Sequence, residues 1–291
     1  NLTCVYKSGF QVLSDITLHA KDNDLVAVCG SVGSGKSSLL LAILQEIKAT
    51  SGSCLTRGKI AYVPQVPWVF SGTIRENIIF YNPFDQKKFE LVIEACALEK
   101  DITSFPDGDL TLIGENGVVL SGGQRARVNL ARAVYADAEI YLLDDPLSAV
   151  DTNVCVQIFE KCIVGALKNR LRILATHDMQ QLKHSDYVFL LENGRVAKQG
   201  NYHDEIFSAE MKSSLVIHCP STHLTAYKGN LEVPQQISKT AENFFSEITS
   251  LEVEEEDRNF GRVSWKTYWR YISAVLPRPL VLLLIFYFIS A

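Results

Sequence analysis

The chain has 291 residues, of which 47% are hydrophobic and 21% charged, and its net charge is −5. That length suffices for one large domain or two ordinary ones, and that apolar content excludes wholesale disorder. The acidic balance argues against a general nucleic-acid binder, which relies on basic surface.

Residues 2–20 alternate in polarity as paired strands do, with Tyr6 among them, 24 positions before Gly30. Leu25-Val26-Ala27-Val28-Cys29 then reads as a buried strand. Gly30-Ser31-Val32-Gly33-Ser34-Gly35-Lys36-Ser37 follows and fits the phosphate-loop spacing G-x-x-x-x-G-K-[ST]. After it, Ser37-Ser38-Leu39-Leu40-Leu41-Ala42-Ile43-Leu44 reads as a helix whose pattern fades near Thr50-Ser51-Gly52. Strand, loop and helix in this order are what the chemistry requires. Glycines let successive N–H groups point at phosphate oxygens, and the helix start adds a favourable dipole. Lys36 is placed to reach β- and γ-phosphates, and the Ser37 hydroxyl to ligate Mg²⁺.

Lys59–Val63 is a second core strand, ending at Pro64-Gln65. Residues 73–135 are mostly helical in pattern, with Phe89, Val92, Ile93 and Cys96 at the spacing of a core-facing stripe. A Gly-rich break, Gly114-Glu115-Asn116-Gly117, precedes Ser121-Gly122-Gly123-Gln124, which opens a helix running to about Tyr135. Small residues at a helix start make a second anion site, although, taken alone, a plain Gly-rich helix start explains it better. Glu139–Leu143 reads as a strand closed by Asp144 and Asp145, and residues 152–169 as a helix. Leu171–Thr176 is a further strand, ending at His177-Asp178. Tyr187–Leu191 and Arg195–Ala197 flank an Asn-Gly pair as a hairpin. Strands alternating with helices, with polar groups at strand C-termini, predict a mainly parallel sheet with ligand at those ends. There Asp144 suits Mg²⁺ through its water shell and Asp145 an attacking water. Gln65 suits Mg²⁺ or that water, and His177 a γ-phosphate.

Residues 213–258 are polar and carry the acidic run Glu252-Val253-Glu254-Glu255-Glu256-Asp257, which reads as a linker. Trp265, Tyr268, Trp269 and Ile272 share one helical face opposite Lys266 and Arg270, as in a helix lying at a membrane interface. The ten apolar residues Leu280–Ile289 follow and read as the start of a transmembrane segment on a cytoplasmic flank. The chain starts without Met and stops inside this run, so it reads as part of something longer. The seven cysteines, Cys219 among them, are scattered without a Cys-x-x-Cys pair and read as reduced and cytosolic.

Gly30–Ser37, Gln65, Leu120-Ser121-Gly122-Gly123-Gln124, Tyr141–Asp145, Ser148-Ala149-Val150-Asp151 and His177 stand in an order that resembles an ATP-binding cassette. They match its Walker A loop, Q-loop, LSGGQ signature, Walker B strand, D-loop and switch histidine over about residues 2–210. The stretches Pro67–Ile78 and Asp144–Asp151 resemble the first nucleotide-binding domain of the C subfamily, the multidrug-resistance-associated proteins. The resemblance implies an α/β P-loop fold of the ABC ATPase type: a mainly parallel core sheet, an antiparallel β subdomain and an α-helical signature subdomain. It implies ATP and Mg²⁺ as cofactors, with Tyr6 stacking on adenine. The implied partners are a second nucleotide-binding domain, transmembrane domains and a transported organic anion, with no nucleic acid. The domains would be residues 1–210 as cassette, 211–258 as linker and 259–291 as the start of a second membrane domain, with the cassette on the cytosolic side of a plasma-membrane exporter. One position departs: most cassettes carry Glu where this chain has Asp145. The shorter acid implies a degenerate, slowly hydrolysing site, while Ser121–Gln124 completes the site of the partner domain. A nucleotide-gated anion channel and a soluble ABC ATPase are the alternatives.

Overall fold

β1 (Leu2–Val5) and β2 (Gln11–Ile16) pair antiparallel, with Cys4 opposite Leu13, and both of those side chains are buried. The computed structural model describes residues 1–114 and 117–202, all within a compact unit spanning Asn1–His223. The linker, the aromatic helix, the apolar run Leu280–Ile289 and Cys219 lie outside the described residues. Among the described residues no helix is long and apolar enough to cross a membrane.

β3 (Leu25–Cys29) is buried at every position and leads through the glycine loop into α1 (Lys36–Ile43). The fading helix pattern up to Thr50 is corrected here. Gln45 takes a left-handed φ of 63°, the chain turns, and β4 (Lys48–Ser51) pairs antiparallel with β1. All four β4 residues are exposed, so no alternation marks this edge strand in the sequence. β5 (Ile60–Val63) follows, and then the short strand β6 (Gly72–Thr73). The helical region consists of α2 (Ile74–Ile79), α3 (Gln86–Ala95) and α4 (Glu99–Ser104), closed by β7 (Leu112–Ile113), which pairs with β6. α5 (Gly122–Tyr135) leads to β8 (Ile140–Asp144). α6 (Thr152–Ile158) continues as a π-helix over Phe159–Ala166, so the helix expected at 152–169 is present but changes its winding. β9 (Leu171–Ala175), the single turn α7 (Met179–Leu182), β10 (Tyr187–Glu192) and β11 (Arg195–Gly200) complete the described chain.

The main sheet has the order β11-β10-β3-β9-β8-β5, parallel except for the edge strand β11. Alternate residues of its central strands face opposite layers. Val26, Val28, Ile140 and Leu142 meet Leu39, Leu40 and Ile43 of α1 and Leu13 of β2. Tyr141 and Leu143 meet Leu130 and Val134 of α5, Ile93 of α3 and Ile158 of α6. Burying each such aliphatic side chain stabilises the fold by about 1.5–3 kcal/mol, which fixes the sheet between its two layers. A polar node joins α5 to α2. The buried Arg132 donates through Nε to the Asn77 carbonyl at 2.7 Å and through a terminal nitrogen to Asn77 Oδ1 at 3.1 Å. Its guanidinium lies 3.8 Å from the centre of the Trp68 ring, and burial pulls its pKa down to about 10. With β9 between β3 and β8, the C-terminal ends of all three strands meet at one edge of the sheet, where parallel α/β folds place ligands.

Candidate nucleotide site

Gly30 opens the loop in contact with β10: a Cβ there would collide with the Leu191 carbonyl and stand 2.7 Å from Ser34 Oγ. Gly35, at φ 106°, is the N-cap of α1 and offers no side chain to the first-turn N–H groups. Lys36 folds its ammonium back over the loop and donates to the carbonyls of Gly30 and Ser31, each at 2.8 Å. The Ser34 hydroxyl is buried without a hydrogen-bond partner. Such a group costs about 1–3 kcal/mol, and an anion seated in the loop would satisfy it. Val32 and Gly33 are exposed at the tip, while Ser31 and Ser37 are partly buried. The loop therefore has one unsatisfied hydroxyl and one cation at the start of α1, a donor set that fits the phosphates of a nucleotide. Tyr6, from the turn between β1 and β2, is 39% exposed, and its hydroxyl lies 2.7 Å from the buried Ser38 Oγ. That contact brings a partly exposed aromatic ring to the first turn of α1.

Asp144, the last residue of β8, is 3% exposed. Burial raises its pKa, opposed by a hydrogen bond from Ser37, and the Asp145 carboxylate beside it raises the value further. Tyr62 of β5 also donates to Asp144, at 3.4 Å; burial, with Asp144 beside it, pushes the phenol up to about 12. A hydroxyl and a carboxylate held together at the loop are oxygen ligands of the kind Mg²⁺ takes. Asp145 has φ 45° and donates its amide to the Ala175 carbonyl at 2.9 Å. Its Oδ2 lies 3.0 Å from His177 Nδ1, and this hydrogen bond raises the histidine pKa against the opposing effect of partial burial. The turn carrying His177 is fixed from beneath. The buried Thr176 hydroxyl donates to Gln181 Oε1 at 2.9 Å and accepts from the Asp178 amide at 3.0 Å. Gln65 is exposed; β5 runs beside β8 with Val63 opposite Leu143, so Gln65 leaves the sheet at the same end as Asp145.

Ser121–Gln124 stands on a different element. Ser121 caps α5, accepting from the Gln124 amide at 3.2 Å, while Gln124 Oε1 accepts from the Ser121 amide at 2.9 Å. Gln124 Nε2 donates to Asp101 of α4 at 2.9 Å, and Arg127 pairs with the same carboxylate. Gly123 lies against the Ala149 carbonyl, 3.1 Å from where a Cβ would stand, and Gly122 faces the Ala149 Cβ. Among the described residues these side chains meet α4 and the stretch around Ala149, not the Gly30 loop. The structure thus brings together Tyr6, Gly30–Ser38, Asp144, Asp145 and His177 and leaves Ser121–Gln124 as a separate surface. Sequence reading missed Tyr62, Asp101, and Thr176 with Gln181. Tyr62 carried only its place in the core strand Lys59–Val63, and the others carried no signal.

The family model described as ABC transporter matches residues 13–148. The chain is 42% identical over 280 residues to ATP-binding cassette sub-family C member 4 of Mus musculus, covering 90% of this chain and 21% of that protein. It is 48% identical over 198 residues to ABC transporter C family member 9 of Arabidopsis thaliana, covering 68% of this chain and 13% of that protein. It is 41% identical over 256 residues to the Drosophila melanogaster protein named Probable multidrug resistance-associated protein lethal(2)03659, covering 88% of this chain and 18% of that protein. The chain spans about a fifth of the length of these relatives, or less. It belongs to the ABC transporter family, as an ATP-binding domain of the C subfamily that includes the multidrug-resistance-associated proteins.

Proposed function

We propose that residues 1–210 are the ATP-binding cassette of a membrane exporter, and that Gly30–Ser38 hold the phosphates of ATP. What supports this reading is the meeting of Lys36, Ser37, Asp144, Asp145 and His177 at the ends of β3, β8 and β9. Lys36 and the loop amides bind phosphate oxygens, Tyr6 stacks on adenine, and Ser37, Gln65 and, through water, Asp144 hold Mg²⁺. Bound MgATP supplies a phosphoryl group whose transfer to water drives the cycle. Asp145 orients that water and His177 hydrogen-bonds the γ-phosphate. Because Asp145 is one methylene shorter than the usual Glu and engaged by His177, this site binds tightly and turns over slowly.

Ser121–Gln124 serves the nucleotide site of a second cassette, most simply one in the same polypeptide, and closure of the two domains is passed to the membrane helices through the segment after Gln65. Residues 211–258 act as linker and 259–291 begin a second membrane domain of a multi-pass protein, which we assign to the plasma membrane with the cassette on the cytosolic side. Organic anions or amphipathic conjugates are the cargo class.

Two measurements on the full-length protein test this. Lys36→Ala abolishes MgATP binding at this site; unaltered binding refutes the loop assignment. Inverted vesicles show ATP-coupled uptake of an organic anion; a passive anion current in its place identifies a channel and ends the exporter reading.

A further inference from the structure

The turn between β10 and β11 is built into the back of the phosphate loop. Gly194 donates its amide to the Ser34 carbonyl at 2.9 Å, and its own carbonyl accepts from the Ser14 amide of β2 at 2.8 Å. Asn193 and Gly194 have φ values of 49° and 74°, the positive pair that suits a tight hairpin. A Cβ on Gly194 would collide with the Val12 carbonyl, and a Cβ on Gly35 would stand 3.4 Å from the Gly194 Cα. At the other end of the loop, the Leu191 carbonyl closes on Gly30. The hairpin backbone therefore meets the loop at both its ends and joins it to the sheet that carries Tyr6. The loop needs this support, because Gly30, Gly33 and Gly35 all have positive φ and add little stiffness of their own.

We propose that Gly194 is a positioning residue for nucleotide binding: through Ser34 and Ser14 it sets the curvature of the phosphate loop and its register with the Tyr6 sheet. Groups that bind a ligand productively must be held to about 0.5 Å, and a methyl group at Gly194 cannot be accommodated without moving Val12 or the loop by more than that. The inference rests on reading the loop as the phosphate site. Gly194 itself touches no nucleotide.

The test uses the full-length protein with MgATP, MgADP and adenosine as probes. Gly194→Ala weakens MgATP and MgADP about tenfold and leaves adenosine binding unchanged, whereas Arg195→Ala on the same hairpin changes none of the three. A folded Gly194→Ala protein with unaltered MgATP and MgADP affinity overturns the inference, and so does an equal loss for adenosine. Hydrogen exchange on the unsubstituted protein decides the case should Gly194→Ala not fold. MgADP then slows exchange at the Ser14 and Gly194 amides together with the loop; protection of the loop alone overturns the inference. Failure of the unsubstituted protein to bind MgATP sinks the phosphate-site reading and this inference with it, while the other contrary outcomes sink only the role of Gly194.

Discussion

Restoring a glutamate at position 145 tests the proposed slow turnover most directly. Asp145 is held at its backbone, where its amide donates to the Ala175 carbonyl and its carbonyl accepts from the Ser148 hydroxyl at 3.0 Å. Its Cα therefore cannot advance to make up for a short side chain. Asp145→Glu adds one carbon–carbon bond, about 1.5 Å of reach. A reacting group misplaced by about 1 Å loses on the order of 10²-fold in rate, equivalent to about 2.7 kcal/mol of barrier. Asp145→Glu should then raise turnover at this site by up to about 10²-fold. The assay is steady-state phosphate release by the full-length protein, with the proposed second cassette disabled at its own loop lysine. MgATP affinity is measured alongside, so that altered binding is not mistaken for altered chemistry. An unchanged or lower rate at unaltered affinity would refute the idea that reach limits this site.

Other outcomes follow from the geometry. Ser121→Ala removes the α5 cap and costs about 1 kcal/mol, and Ser121→Arg also cripples ATP turnover by the full transporter; intact turnover in the arginine variant contradicts the role given to the signature. Arg132→Ala takes the Arg132 donor from the Asn77 and Trp68 carbonyls, leaves Asn77 Oδ1 with the Phe70 amide alone and strips Trp68 of its cation, costing about 3 kcal/mol in a denaturant titration; a loss under 1 kcal/mol would show that water fills the gap. For His177, the folded pKa lies above the ordinary 6.5, chiefly because Asp145 accepts its hydrogen bond. The stabilisation is therefore complete below 6.5 and lost as pH rises through the elevated value. Thermal melts of the full-length protein should show this decline, and Asp145→Asn should flatten it; an identical pH slope in both proteins would refute the pairing.

How far the sequence could be read depends on whether a residue's role is local or crosses the chain. The Gly30–Ser37 loop was legible because its amide cradle is built from consecutive residues, and β3, β8 and β9 were legible because burial on both faces demands continuous apolar runs. The edge strand β4 was not, because its four exposed residues record only backbone pairing. Asp145 was legible as a short acid, yet its bond to His177 spans 32 residues and has no periodicity to betray it. Asp101 carried no signal in the sequence, and only the fold shows it holding both Gln124 and Arg127. The Asn-Gly pair announced a hairpin correctly. That the hairpin braces the phosphate loop depends on Ser34 lying 160 positions earlier in the chain.

The two helix starts differ in the state of their acids, and this leads to a prediction about metal. α1 and α5 both begin without an acidic residue in the first turn, so each has a positive end with no carboxylate of its own and borrows one from elsewhere. α5 borrows Asp101, which is already neutralised by Arg127 and hydrogen-bonded to Gln124, so a phosphate arriving there meets no free anion. α1 borrows Asp144, which is buried and has a raised pKa; its ionised form is disfavoured until a cation arrives. Phosphate oxygens brought to Lys36 would add further negative charge near Asp144, and a bound Mg²⁺ would offset it. Chelating Mg²⁺ should thus weaken ATP binding at the Lys36 site in the full-length protein. Asp144→Asn should abolish that metal dependence while raising the melting temperature of the nucleotide-free protein at neutral pH, where the buried charge is a cost. Titration of ATP with and without chelator, beside thermal melts, reads both effects. If Asp144→Asn lowers the melting temperature, or leaves the Mg²⁺ dependence intact, Asp144 is not the carboxylate that meets the metal.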